Sequence, residues 1–458
     1  MTRSTVLQVR TLLLFAAVAV ASAPSSAQDS VALTDGRFVF GPPMTRKPEG
    51  VVVHYGAGDV LIPKEMVKEA STSKTEGLPE EAPPPGSEEK IKAGFVRFEG
   101  NWIKPEQRDK TIEARRAARA KKIKEAKDRR EWRNRGKYET QNFRFEYTID
   151  PDVVKRYAEL METYFKVFTK EWGISKPPKE GKMLVCFYHD RETFEQVGGA
   201  GGGVIGYYRF RDPRELNFFY DRLDERLTID VMFHETNHYL THLIDLKFGY
   251  PPWINESLAE YYGASEWDAK TKSMKTGALQ DGRLAVLQGK IFDGEWQKLE
   301  GLMDLKHGEF NADHYAWGWS FVHYLLSTPK YASKFKAFYK SLASDPQIKR
   351  VDFGGGMKTV EGAEVKAAFK RYVGVKDLGA LEKEWHDYVK GLQQSSPRGY
   401  AEAGDLYYGQ GLYLKATRYY QTAIEKGHAT ASTYYGLARC HRRKSKTDEA
   451  AEALKKAI

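Results

Sequence analysis

Residues 227–246 read LTIDVMFHETNHYLTHLIDL, and this stretch decides how the chain is read. It contains neither Pro nor Gly. Its apolar residues Val231, Phe233, Leu240, Leu243 and Ile244 are too dense for a surface helix, so the pattern predicts a buried one. His234 and His238 are four positions apart, which places two imidazoles on one helix face, one turn above the other. Buried neutral imidazoles need partners, and one metal ion satisfies both at once. Glu235, between them, stands where a carboxylate can take a proton from water beside such an ion. The competing reading is a structural helix that carries the pentad by chance.

A catalytic zinc ion takes three protein ligands and keeps a fourth position for water. His242 continues the row, but three successive turns of a straight helix span about 12 Å, too far for one ion. His242 is therefore read as a structural or cleft residue. A metzincin needs a His six residues after the second ligand and a Gly three residues after it; Ile244 and Thr241 stand there instead. Glu256 follows His238 by 18 positions, beyond the turn-forming Pro251-Pro252. Asn255 is expected to cap a new helix there. Glu256 would then lie in its first turn and point back at the metal.

Three stretches now stand together: HETNH (234–238), PPWINESLAEYY (251–262) and YAWGWSFVHYL (315–325). They resemble the gluzincin zinc peptidases, above all the peptidase-MA-like proteins of bacteria, a secreted group. The resemblance covers residues 141–395. It implies an α+β zincin-like metallopeptidase domain: a mixed sheet, an HExxH helix and a mainly helical C-terminal half. It also implies that His234, His238 and Glu256 hold zinc and that Glu235 is the general base. Glu260, one turn beyond Glu256, is implied to orient a ligating histidine from behind. Tyr315 opens a Tyr-x-x-Gly pattern that implies an oxyanion-stabilising hydroxyl. Read from its residues alone, Tyr315 is equally a core aromatic of an apolar helix. In gluzincins a strand placed like ELNFFYD (215–221) is an edge strand that lines the cleft and pairs with an extended peptide. By its residues it is equally an interior strand. The implied substrate class is a peptide or protein; its identity does not transfer.

The chain has 458 residues, enough for two or three domains, and a net charge of +10. Residues 108–137 carry 14 Lys/Arg and 5 Asp/Glu, a net of +9, and Arg3 and Arg10 add +2, so everything else sums to −1. The basic segment is rich in helix formers and is expected to be a solvated helix. The functional alternative is contact with an anionic envelope surface. It lacks interleaved aromatics apart from Trp132, which argues against nucleic acid. Arg3 and Arg10 precede or flank the apolar run TLLLFAAVAVASA (11–23), and Ala21, Ala23 and Ala27 suit cleavage. A signal peptide over 1–27 is expected, with an exported, periplasmic or extracellular mature protein. Cys186 and Cys440 lie in distant elements and are expected to be two separate buried thiols.

Short β-like pieces predict a small β module over 28–70. A Pro/Glu/Ser-rich linker follows at 71–92, a β-hairpin at 93–107 and the basic helix at 108–137. From 141 the pattern alternates strand and helix: NFRFEYTID, a helix over 151–172 with Tyr157, Leu160, Met161, Tyr164 and Phe168 on its apolar side, then KMLVCFYHD. GGAGGGVIGYYRF (198–210) begins as a glycine loop and becomes a strand. It lacks the Gly-Lys-Ser/Thr ending of a phosphate loop.

Residues 398–458 contain an internal repeat. Tyr400, Ala403, Gly404, Tyr407, Ala416, Tyr420 and Ala423 recur 34 positions later as Tyr434, Leu437, Ala438, His441, Ala450, Leu454 and Ala457. This period, with small residues at these offsets, resembles the tetratricopeptide repeat and implies α-helical hairpins that dock a protein partner. Two functions are therefore in contention. One is a secreted zinc metallopeptidase with docking repeats. The other is a non-catalytic repeat scaffold of the cell envelope whose peptidase fold is structural or vestigial.

Overall fold

A computed structural model describes residues 29–34, 38–40, 43–55, 58–71, 84–98, 100–177, 180–201, 204–221, 225–268, 271–306 and 308–457. The expected signal peptide at 1–27 and positions 72–83 of the linker lie outside the described residues. Among those described, no helix is long and apolar enough to cross a membrane. The chain divides into two compact units, Met1–Lys121 and Lys122–Ile458.

The first unit opens with β1 (Ser30–Leu33), β2 (Phe38–Phe40), β3 (Met44–Lys47), β4 (Gly50–Tyr55), β5 (Gly58–Pro63) and β6 (Val67–Ser71). They form two three-stranded sheets, ordered β2-β1-β6 and β3-β4-β5. Val31, Leu33, Met44, Val51, Val53, Ile62 and Ala70 make its apolar core. A short helix α1 (Glu88–Lys92) follows, then the hairpin of β7 (Val96–Phe98) and β8 (Asn101–Ile103). Gly100 turns that hairpin at a φ of 79°, a conformation Gly adopts at no steric cost.

Helix α2 (Pro105–Arg129) is the basic segment, and none of its described side chains is buried. It ends eight residues before the expected boundary at 137. Residues 136–139 instead form β9 (Gly136–Glu139), the first strand of the second unit's sheet. Gly136 allows this, because a Cβ there would stand 2.4 Å from the Tyr147 ring.

That sheet continues with β10 (Phe143–Tyr147), helix α3 (Pro151–Trp172), β11 (Met183–Tyr188), helix α4 (Arg191–Gly198), β12 (Gly206–Arg209) and β13 (Glu215–Phe219). Its order is β12-β13-β11-β10-β9, parallel in the middle and antiparallel at both edges. Asp150 caps α3 by accepting from the Asp152 N–H at 2.8 Å, and Gly173 ends it at a φ of 59°. The expected apolar side of α3, from Tyr157 to Phe168, is buried. Each such large side chain contributes about 1.5–3 kcal/mol on leaving water. One expectation is corrected here. Residues 215–219 are an interior strand, between β11 and β12, and the edge strand is β12, from the glycine-rich stretch. Glycine places it there: a Cβ on Gly206 would lie 2.5 Å from Val231 Cγ1.

Helices dominate the rest of the unit, giving a mixed α/β architecture with a mainly helical second half. Helix α5 (Glu225–His242) carries HETNH and α6 (Pro252–Gly263) carries Glu256. A hairpin of β14 (Glu266–Asp268) and β15 (Ser273–Lys275) leads to α7 (Asp281–Phe292), α8 (Leu299–Met303), α9 (Ala312–Ser327) and α10 (Pro329–Ser344). DFGGGMKT forms a second hairpin, β16 (Val351–Gly354) and β17 (Met357–Thr359), before α11 (Gly362–Phe369) and α12 (Leu378–Lys390). Cys186 and Cys440 are buried and unbridged, and burial pushes their thiols up to about 12 and about 11.

The chain's last described elements are two helical hairpins: α13 (Pro397–Gly409) with α14 (Tyr413–Glu425), and α15 (Ala431–Arg443) with α16 (Thr447–Ala457). Corresponding helices start 34 residues apart, as the repeat predicts. Tyr420 fills the seam between two glycines. A Cβ on Gly404 would meet its ring at 2.8 Å, and one on Gly436 at 2.5 Å. Gly436→Ala should therefore lower unfolding stability by about 1–3 kcal/mol despite alanine's better helix propensity. Urea denaturation checks this, and Tyr420→Leu should relieve part of the loss.

Candidate metal centre

Helix α5 places the His234 and His238 rings 4.9 Å apart, with their planes at 84°. The helix itself is fixed by buried polar contacts. Asn237, inside the pentad, donates from Nδ2 to Tyr164 Oη of α3 at 2.8 Å. Helix α6 crosses close by, since a Cβ on its Gly263 would be only 3.3 Å from the Asp230 carbonyl oxygen. It begins at Pro252, with Pro251 preceding it. Asn255 is thus inside the first turn and is not the expected cap; proline's fixed φ starts the helix four residues earlier, which puts Glu256 just past the first turn in which it was expected.

The result is a convergent set of donors. His234 Nε2 and His238 Nε2 are 3.2 Å apart. Glu256 Oε2 stands 3.3 Å from the first and 3.7 Å from the second. These three side chains offer ligand atoms all within 4.8 Å of one another. Ligand atoms about 2.0–2.1 Å from a tetrahedral ion stand about 3.3–3.4 Å from each other, so this spacing fits one small divalent cation. Two imidazoles and a carboxylate suit zinc and also other first-row metals. The three side chains are mostly buried, with 12–18% exposure.

Electrostatics favour positive charge at this point. Burial opposes protonation of His234, but the Glu256 and Glu260 carboxylates prevail and raise it well above the usual histidine range. Burial likewise opposes ionisation of Glu256, yet His238 and His234 hold it well below the usual carboxylate range. Glu235 is buried, and that burial lifts its carboxyl, against the pull of His234 and His238. Edge strand β12 passes close to it: a Cβ on Gly206 would stand 3.1 Å from Glu235 Cγ. A carboxylate raised in this way takes up a proton more readily than an exposed one.

Glu260 lies behind His234, its Oε1 3.2 Å from Nδ1, and so turns Nε2 towards the centre. Tyr315 donates from Oη to Glu256 Oε2 at 3.0 Å. Its helix reaches that far because Gly318, one turn on, has no side chain: a Cβ there would lie 2.0 Å from Ser257 Oγ of α6. Tyr315 is thus at the centre, half-buried between His234 and Phe310, and not among the buried core residues of its helix. His242 is turned away, bonded to Tyr208 Oη at 2.8 Å and to the Leu246 carbonyl at 2.7 Å. It is a satisfied structural residue. His238 differs from His234, because its buried Nδ1 has no partner among the described residues.

Sequence reasoning missed Arg283. Its Nε and Nη2 each donate to a Glu260 oxygen at 2.7 Å, and its guanidinium lies 4.8 Å over the Tyr315 ring. The available signal was a single charge in the otherwise apolar run GRLAVLQG. Burial raises the Glu260 carboxyl, but Arg283 and His234 outweigh it and bring it down to about 2. A carboxyl lowered on folding stabilises the fold fully above its ordinary 4.5, and that stabilisation is lost as pH falls towards about 2. Arg283→Met should cost about 3–5 kcal/mol at neutral pH, since Glu260 stays buried without its clamp. Adding Glu260→Gln should restore part of this in urea titrations, and the acid-dependent loss should shrink. A single mutant as stable as the parent would refute the clamp.

No protein-family model matches the chain, and no curated protein matches it.

Proposed function

We propose that this chain is an exported zinc-dependent peptidase of the gluzincin, peptidase-MA-like kind. The observation that carries the reading is one cluster: three donor atoms spaced for a tetrahedral ion, with the buried Glu235 carboxyl on the same helix, next in sequence to His234. A structural metal site has no need of Glu235, which favours a hydrolase over the scaffold reading. His234, His238 and Glu256 would hold the ion. Zinc bound there would supply Lewis acidity, polarising a carbonyl and acidifying water.

The chain's own residues supply the remainder. Glu235 removes a proton from the attacking water and returns it to the departing amine nitrogen. Its buried setting, close against edge strand β12 at Gly206, keeps the carboxylate in place during both transfers. Tyr315 offers its hydroxyl to the oxygen on which negative charge grows, released from Glu256 for that purpose. Edge strand β12 runs alongside and pairs an extended peptide by strand addition. The helical hairpins are of tetratricopeptide type and dock a protein partner; the basic helix, with none of its described side chains buried, is a solvated helix, and contact with an anionic envelope surface is its alternative role.

Metal analysis of the mature protein, with cleavage of a broad peptide library in the presence and absence of a chelator, tests the reading. Chelator-sensitive cleavage is expected; a metal-free, inactive parent would end it. Glu235→Gln should retain the metal and lose hydrolysis by roughly 100- to 10,000-fold. Glu256→Ala should lose the metal instead, and full occupancy in that variant would remove Glu256 from the ligand set.

A further inference from the structure

The first helical hairpin is fitted to the two helices that flank the centre. At the start of α7, the Asp281 side chain accepts from the Ser396 N–H at 3.1 Å and from the Ser396 hydroxyl. Its carbonyl accepts from Ser395 Oγ at 3.1 Å. The next residue, Gly282, meets Glu402 of α13, where a Cβ would come within 2.7 Å of the Glu402 Cβ. Two turns on, a Cβ at Gly289 would stand 2.3 Å from Tyr419 Oη of α14. Helix α7 is thus held near both ends, and Arg283 projects from between these contacts.

Helix α9 meets the first hairpin at its own first turn. Asp313, its second residue, accepts from Tyr407 Oη of α13 at 3.0 Å and faces Lys290 Nζ of α7 at 2.6 Å. Tyr407 is 2% exposed and its ring packs on Tyr419 at 5.2 Å. One carboxylate therefore ties α13 and α7 to the first turn of α9. Two residues later in that turn is Tyr315, bonded to Glu256.

We propose that the first hairpin is a working part of the centre, with Tyr407 and Asp313 as positioning residues that hold Tyr315 against Glu256. The inference rests on the peptidase reading for the chemical use of Tyr315, but not for the link itself. Ordinary packing between a repeat and a neighbouring domain would bury area without passing a hydroxyl's loss on to Glu256.

The test is Tyr407→Phe in the full chain, which keeps the ring and removes one hydroxyl, with Asp313→Asn as a second variant. Amide exchange at Tyr315 and Ala316 should quicken about tenfold while the α5 amides stay unchanged. In the cobalt-loaded protein the visible bands should shift in the direction that Tyr315→Phe gives. Turnover should fall about five- to tenfold with KM within about twofold. The double variant Tyr407→Phe/Tyr315→Phe should lose no more than Tyr315→Phe alone. Unchanged exchange in the first turn of α9 in both variants, or losses that multiply in the double variant, would overturn the proposal. Quickened exchange with unchanged turnover would uphold the link and count against the catalytic use of Tyr315, so the two ideas fail separately.

Discussion

A carboxylate shut away from water must have cationic company, and Glu260 imposes that constraint on the whole centre. It is 4% exposed and sits between the Arg283 guanidinium and the His234 ring. Meeting its demand fixes α5, α6 and α7 against one another and sets which nitrogen of His234 faces the donor cluster. Exposed pairs such as Lys272–Glu159 contribute about 0–1 kcal/mol, so they cannot compete with this clamp in deciding the local geometry. Arg283 also lies over Tyr315, so the same cation sets both the back of the centre and one wall of it.

Absent side chains matter as much as present ones. Gly206 admits the edge strand, Gly263 admits α6 and Gly318 admits α9, each to a distance that a methyl group would forbid or strain. Chemistry-bearing residues on four different elements converge because the backbones between them can approach. Gly282 and Gly289 extend the same device to the hairpin behind α7.

Much of this was legible in the sequence where spacing carries the information. The four-residue interval of His234 and His238, the interval to Glu256, the turn from Glu256 to Glu260 and the 34-residue repeat all survive as geometry. Local signals with two solutions went astray. Asn255 looked like a cap, but the prolines ahead of it start the helix. Residues 215–219 looked eligible for the sheet edge, but a glycine-rich stretch read partly as loop supplied that strand. Basic composition ran on to Lys137, whereas Gly136–Glu139 answers to strand pairing with β10. Arg283 was illegible for a different reason: its partner lies 23 residues away on another helix, with no periodic pattern linking the two.

The two cysteines, shut into separate parts of the core, set how the chain answers to oxidants. With thiols at about 11 and about 12, the reactive thiolate at neutral pH is on the order of one part in ten thousand or less. In the folded chain both sulfurs are therefore poor nucleophiles for exchange, and both are buried. The folded second unit carries no disulfide between them, so a reductant should leave its folded stability unchanged. Oxidative damage would have to wait for the fold to open.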